Sequence, residues 1–128
     1  GGHQEKVDKD LWSTALREAH EETGLDSSLP QKIGELDAIV TVGSGTLIHP
    51  FVALLPHRPE LKANSAEVEM IRHVDIAELL KEETWREEYW EREGRSHAVT
   101  FFEIPEETIW GATANILRQL LTLGLGIV

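Results

Sequence analysis

The sequence predicts an α/β domain: a sandwich in which helices pack on a mixed β-sheet. Three observations carry this expectation. A capped amphipathic helix stands near the front, several runs with a two-residue apolar period follow it, and a second amphipathic stretch closes the chain. Helical and extended patterns are intermixed rather than segregated, and no repeat or low-complexity linker divides them. At 128 residues the chain reads as one domain, spanning residues 1–128, with enough length to bury a core.

The first helix is framed by Asp10 as N-cap and by Gly24, which suits the left-handed residue that ends a helix. Trp12, Ala15, Leu16 and Ala19 follow i, i+3, i+4, i+7 and form its apolar stripe. Asp26 to Pro30 is a polar turn. Leu36, Ala38, Val40 and Val42 alternate with mostly polar residues, predicting a half-buried strand from Glu35 to Thr41. Gly43-Ser44-Gly45 breaks it, as a hairpin turn or as a close backbone approach to ligand. Thr46 to Leu55 is denser in apolar residues and predicts a more buried strand, with Pro50 as a bulge or edge mark.

His57 to Ser65 suits a loop, Glu67 to Val74 a strand, and Ile76 to Leu80 the start of a short helix capped by Asp75. Lys81 to Arg95 is rich in charge and pairs Trp85 with Tyr89 at i, i+4, predicting a surface helix whose aromatic stripe reads as packing, the alternative being a base-stacking platform. His97 to Ile104 alternates as a strand. Ile109 to Leu123 predicts the last helix, with Ile116, Leu117, Leu120 and Leu121 inward and Gly124 beyond its end.

Composition narrows the function classes. Twelve basic and 23 acidic residues give a net charge of −11, which argues against nonspecific binding to nucleic acid or to an anionic membrane. No apolar run approaches a membrane span. The absence of cysteine excludes a disulfide framework, a thiol nucleophile and cysteine-ligated zinc, and fits a reducing, cytoplasmic setting.

The chemistry gathers in Arg17-Glu18-Ala19-His20-Glu21-Glu22-Thr23-Gly24-Leu25. On a helix, Glu18, Glu21 and Glu22 stand at i, i+3 and i+4 and share one face. Like charges at that spacing repel by a few tenths of a kcal/mol per pair. One reading is a solvated acidic face; the other is a site for a hard divalent cation such as Mg²⁺ or Mn²⁺, which prefers carboxylate oxygens.

The neighbours favour the second reading. The run resembles the Nudix box, G-x5-E-x7-R-E-U-x-E-E-x-G-U with U aliphatic. Arg17, Glu18, Glu21, Glu22, Gly24 and Leu25 fall in register, with Ala19 in the first aliphatic slot. The front departs from the pattern: the glutamate slot holds Lys9 and the glycine slot His3. A one-residue shift brings Asp8 and Gly2 into those roles, as though the loop were one residue longer. "GGHQEKVDKDLWSTALREAHEETGL", "NSAEVEMIRHVDIAELL" and "IWGATANIL" together resemble the coenzyme A pyrophosphatase branch of the superfamily and touch most of the chain.

The resemblance implies the Nudix fold, an α/β/α sandwich with a mixed sheet. Nudix domains place strands before the box, and the chain opens inside the motif at Gly1-Gly2, so upstream strands are expected to be missing from it. It also implies hydrolysis of a nucleoside diphosphate derivative with Mg²⁺ or Mn²⁺. Glu21 and Glu22 are then metal ligands, Glu18 a ligand or the base, and Arg17 the residue that orients a box carboxylate from one helical turn away. Glu67 is the candidate for a further metal ligand, against its reading as a loop carboxylate. The free position His20 suits a solvent-exposed histidine, and His49, His73 and His97 lack metal-ligand spacing and read as structural.

Three functions compete: hydrolysis of coenzyme A or its thioesters, hydrolysis of another nucleotide such as ADP-ribose or a dinucleotide, and noncatalytic binding on a Nudix fold. Three mutually repelling glutamates count against the last. The expected partner is a small-molecule nucleotide, with room for a homodimer and none for nucleic acid or membrane.

Overall fold

A computed structural model of the chain describes residues 1–41, 44–64 and 66–124, with side chains through residue 122. Its contacts cluster into two compact units, Gly1–Glu35 with His49–Arg72, and Leu36–Ile48 with His73–Val128.

The first unit is built on α1 (Leu11–Thr23) and a two-stranded antiparallel ribbon of β1 (Gln31–Glu35) and β4 (Phe51–Leu54). Asp10 caps α1 as the sequence predicts, its carboxylate accepting from the Ser13 amide at 2.8 Å. Gly24 ends the helix at φ 73°, and its amide donates to the His20 carbonyl at 2.8 Å. The apolar stripe is half-buried, with Trp12 meeting Phe51 edge-on at 5.6 Å and the Lys32 ammonium lying over both rings. Beyond β4 the chain runs as a loop whose Lys62 and Asn64 amides donate to the Thr23 and Glu22 carbonyls, each at 2.9 Å. Two last-turn acceptors of α1 are thereby satisfied.

The second unit holds a short hairpin, β2 (Ile39–Val40) with β3 (Leu47–Ile48), then α2 (Ile76–Leu79). A three-stranded antiparallel sheet of β5 (Trp85–Arg92), β6 (Arg95–Ile104) and β7 (Glu107–Trp110) follows, and α3 (Ala112–Gln119) runs on into a π-helical stretch, Leu120–Gly124. The register pairs Phe102 with Trp85 and Ile109, so these residues share one sheet face. On that side Phe102 (1% exposed), Ile104, Leu79, Ala114 and Leu121 form the core, joined by Val74, Ile109 and Leu117. Full burial of the Phe102 ring is worth about 1.5–3 kcal/mol. The other face carries Phe101, Trp90 and Trp110, with centroids 5.9–6.3 Å apart.

The α/β class holds, while several elements differ from expectation. Every described strand pair is antiparallel, so the parallel pairing of a mixed sheet is not found among the described residues. Of the strand expected over 35–41, only Glu35, the last residue of β1, and the two residues of β2 are strand, and Leu36 to Ala38 connect them. β1 escapes a periodicity reading because Ile33 is its one apolar side chain and stays exposed; backbone pairing with β4 defines it. Thr46 to Leu55 splits at His49-Pro50. Pro50 has no amide to donate and is buried, and β3 and β4 on either side of it pair with different strands.

Glu67 to Val74 alternates but finds no strand to pair with among the described residues, and remains a loop. Asp75 precedes α2 as expected, without a capping side-chain hydrogen bond. The helix expected over 81–95 is instead strand β5 and the turn into β6. Glu93 (φ 53°) and Gly94 (φ 75°) turn the chain between the paired Arg92 and Arg95, the conformation that two-residue hairpins require. Ile109 and Trp110 belong to β7, and the last helix begins only after Gly111 at φ 71°. Leu121 is buried and Ile116, Leu117 and Leu120 half-buried, as the periodicity predicts, while Gly124 falls inside the π-helical stretch. Ser44 and Gly45 lie in the β2–β3 connection; Val42, Gly43 and Ser65 fall outside the described residues. Among the described residues no helix is long and apolar enough to cross a membrane.

Candidate metal and catalytic site

The site is organised by Arg17. Helical spacing sets its guanidinium beside Glu21 one turn on, and Nη1 donates to Glu21 Oε2 at 3.1 Å and to Glu18 Oε1 at 3.3 Å. Glu5 adds a third carboxylate, at 3.3 Å from the same nitrogen. The opposite edge is held by Asp8, which accepts from Nε at 3.0 Å and from Nη2 at 3.1 Å, and Nη2 also donates to the His3 carbonyl at 3.2 Å. The guanidinium is thus a crosspiece between the loop before α1 and the carboxylates on it.

Asp8 is fixed in turn. Its side chain is only 4% exposed, and it accepts from the Glu5 amide at 2.9 Å and the Thr14 hydroxyl at 3.0 Å. Thr14 is the buried residue of α1, so helix and loop are tied through a covered polar contact. The Arg17 hydrogen bond, then those from the Glu5 amide and Thr14, hold the Asp8 carboxyl down at about 2, against an ordinary 3.8. Asp8, followed by Glu21, raises Arg17 above its ordinary range.

The one-residue shift at the front has a physical counterpart. A Cβ built on Gly2 would overlap the Glu18 carboxylate, coming within 2.6 Å of Cδ, whereas Gly1 has nothing within 4 Å. Position 2 therefore needs glycine if Glu18 is to keep its place. Asp8, not Lys9, meets Arg17. The clamp that Asp8 forms with Thr14 and Glu5 went unread in the sequence; the shifted register pointed to Asp8, but only the loop geometry shows what it touches.

Of the other expected site residues, Glu22 lies 3.4 Å from the Gly1 nitrogen, and Glu67 sits exposed in a turn within the same unit. Among the described residues no three acidic or histidine side chains converge as a ready ligand set; Glu18 and Glu21 turn to the guanidinium they share. His20 is exposed, and its Nδ1 meets the Leu25 carbonyl at 3.0 Å, a structural contact at the helix end. His97 lies in β6, while His49 and His73 fall outside strands.

In type, the donors suit a hard divalent cation. Glu18, Glu21 and Glu22 offer carboxylate oxygens from one face of a helix anchored at both ends, and Glu18 fills a cradle kept open by Gly2.

Compared with known proteins, residues 1–94 match the NUDIX domain. A protein of Photorhabdus laumondii subsp. laumondii named "Uncharacterized Nudix hydrolase NudL" is 38% identical over 120 residues, covering 94% of this chain and 64% of the relative. Proteins of the same name from Yersinia pestis (strain Pestoides F) and Yersinia pseudotuberculosis serotype O:1b (strain IP 31758) are each 34% identical over 120 residues, covering 94% of this chain and 60% of their own length. The chain thus spans less than two thirds of these relatives. With the domain match running through the loop, the helix and the carboxylates described above, the chain belongs to the NUDIX domain family.

Proposed function

We propose that the chain carries the catalytic box of a divalent-metal-dependent hydrolase acting on the diphosphate of coenzyme A or an acyl-coenzyme A. The products are 3′,5′-ADP and 4′-phosphopantetheine or its acyl form. The observation that carries the reading is the Arg17 crosspiece, with Asp8 behind it and Glu18 and Glu21 in front. The coenzyme A specificity rests on the three stretches that resemble that branch.

The reaction adds one water across the P–O–P bridge, breaking a P–O bond and leaving two phosphate monoesters. Glu18, Glu21 and Glu22 would hold Mg²⁺ or Mn²⁺, with Glu67 as a further ligand. When bound, the cation neutralises diphosphate charge and acidifies water. Glu18 alternatively serves as the base, taking the proton of the attacking water on a carboxylate oxygen. Arg17 orients Glu18 and Glu21, and Asp8 orients Arg17.

The test is a product assay over coenzyme A, acyl-coenzyme A, NADH and ADP-ribose with each metal. The expected result is 3′,5′-ADP from a coenzyme A species, abolished by chelator. Turnover of ADP-ribose or a dinucleotide about tenfold more efficiently than every coenzyme A species would overturn the specificity while leaving the hydrolase reading intact.

A further inference from the structure

The second unit contains a cavity of about 590 Å³, bordered by β2, by β5 and β6 near their turn, and by the start of α3. That volume lies within the roughly 300–1,000 Å³ usual for small-molecule sites. Two of its walls are the indoles of Trp90 and Trp110. Their centroids are 5.9 Å apart with the rings at 46°, and they remain 45% and 56% exposed. Large aromatic surface left open beside a cavity marks a stacking surface rather than a packed core.

The rings are held in place. Trp110 stacks on the buried Phe101 at 17°, and Arg86 covers Phe101 at 4.2 Å. The Trp90 Nε1 donates to Glu88 at 3.2 Å, and Glu88 also pairs with Arg86 at 3.0 Å. Glu88 and Arg86 are thus engaged with the platform they support.

The polar lining has a sign. Trp90 pairs with His97 across the ladder, and Arg92 follows Trp90 by two residues, so indole, imidazole and guanidinium share one sheet face. Glu91 also borders the cavity, but strand alternation sets its side chain on the other face. The Arg92 guanidinium beside indoles, in a chain of net charge −11, complements a flat base that bears a phosphate.

We infer that this cavity binds the adenine nucleotide portion of a ligand, the base against Trp90 and Trp110 and a phosphate toward Arg92 and His97. The assignment rests on the reading of the chain as a hydrolase of an adenine-containing diphosphate, and it holds alike for coenzyme A, ADP-ribose and dinucleotides.

Calorimetric titration of 3′,5′-ADP into the metal-free chain tests it, with hydrolysis measured separately. Trp110→Leu and Arg92→Gln are each expected to weaken binding by about tenfold or more, as loss of a base–aromatic stack or a phosphate contact does. Trp85→Phe, which alters an indole on the core side of β5, is expected to leave it unchanged. Arg92 is exposed at the end of the hairpin, so its variant keeps the test decisive if Trp110→Leu does not fold. Unchanged affinity in Arg92→Gln and in folded Trp110→Leu overturns the inference, as does failure of 3′,5′-ADP to bind while coenzyme A is still hydrolysed. A dimer that Trp110→Leu dissociates, with no nucleotide uptake, overturns it too. Binding that depends on Trp110 and Arg92, in a chain that hydrolyses no adenine substrate, supports the cavity and refutes the hydrolase reading.

Discussion

Replacing Asp8 with asparagine changes one atom and removes one charge, and the contacts around it indicate the cost. Four donors converge on this carboxylate: Arg17 Nε and Nη2, the Glu5 amide and the Thr14 hydroxyl. An amide offers one acceptor oxygen. Kept at the Oδ2 position, that oxygen still serves Nη2, Glu5 and Thr14, but the new NH2 then faces the Arg17 Nε–H, donor against donor. Flipped, it sets the NH2 against Nη2 and the Glu5 amide, while the Thr14 hydroxyl, which can donate to the Asp10 carbonyl instead, is free to accept from it. Either way the guanidinium loses its fixed edge, and with it the aim of Nη1 at Glu18 and Glu21. Losing a partner that orients metal ligands typically costs about 10–100-fold in activity or metal affinity.

The expected result for Asp8→Asn is accordingly a fall in kcat of about 10–100-fold, with a higher Mg²⁺ or Mn²⁺ concentration needed for half-maximal rate and KM for coenzyme A within about threefold. Lys9→Ala, which leaves the clamp intact, is expected to change turnover by less than about threefold. The assay is initial-rate hydrolysis of coenzyme A across a metal titration, with thermal melts to confirm folding. An Asp8→Asn protein at full rate, or a Lys9→Ala protein more impaired than Asp8→Asn, would refute the proposed chain from loop to carboxylates.

Other outcomes follow from the same site. Glu21→Gln or Glu22→Gln is expected to remove about 99% of activity while the melting midpoint holds or rises, because the amide keeps size and relieves like-charge repulsion; full activity in either variant would remove that residue from the metal site. Gly2→Ala should displace the flexible Glu18 carboxylate, lowering kcat by about tenfold or more with little change in the melt, and an unaffected rate would show that Glu18 does its work elsewhere. Acid should also report the clamp. The folded Asp8 pKa lies below its unfolded value, so its stabilisation is complete above about 3.8 and drains as pH falls toward about 2. Asp8→Asn should flatten that part of the stability–pH curve measured by denaturant titration, and an identical slope would count against the clamp.

Where a local rule determined the outcome, the sequence could be read directly. Asp10, Gly24 and the apolar spacing of Trp12 to Ala19 delimit α1, and the alternation of His97 to Ile104 lies within β6. The reading failed where pairing decides. Trp85 and Tyr89 satisfy helical spacing, whereas both faces of the strand from Trp85 to Arg92 mix aromatic with charged residues and show no two-residue period; the Glu93-Gly94 turn and pairing with β6 select the extended form. In the same way Glu67 to Val74 has the pattern of a strand but pairs with no strand among the described residues. At the site, the motif gave the carboxylates and Arg17, because helix spacing fixes their mutual placement. Asp8 meets Arg17 through an irregular loop, whose path no periodicity describes.

The two amides that close the end of α1 set different tolerances along one loop. Lys62 and Asn64 are bonded to consecutive carbonyls of the helix, one of them belonging to Glu22 itself. Among the described residues, 56–61 span the gap before that attachment with no backbone hydrogen bond to the helix, so extra length there lets the loop bow outward and leaves the tie in place. A single residue added between Lys62 and Asn64 shifts one amide out of step with its carbonyl and frees the last turn beside Glu22, a glutamate of the proposed metal site. Length variation among related chains is therefore expected to collect before position 62 and to stop there.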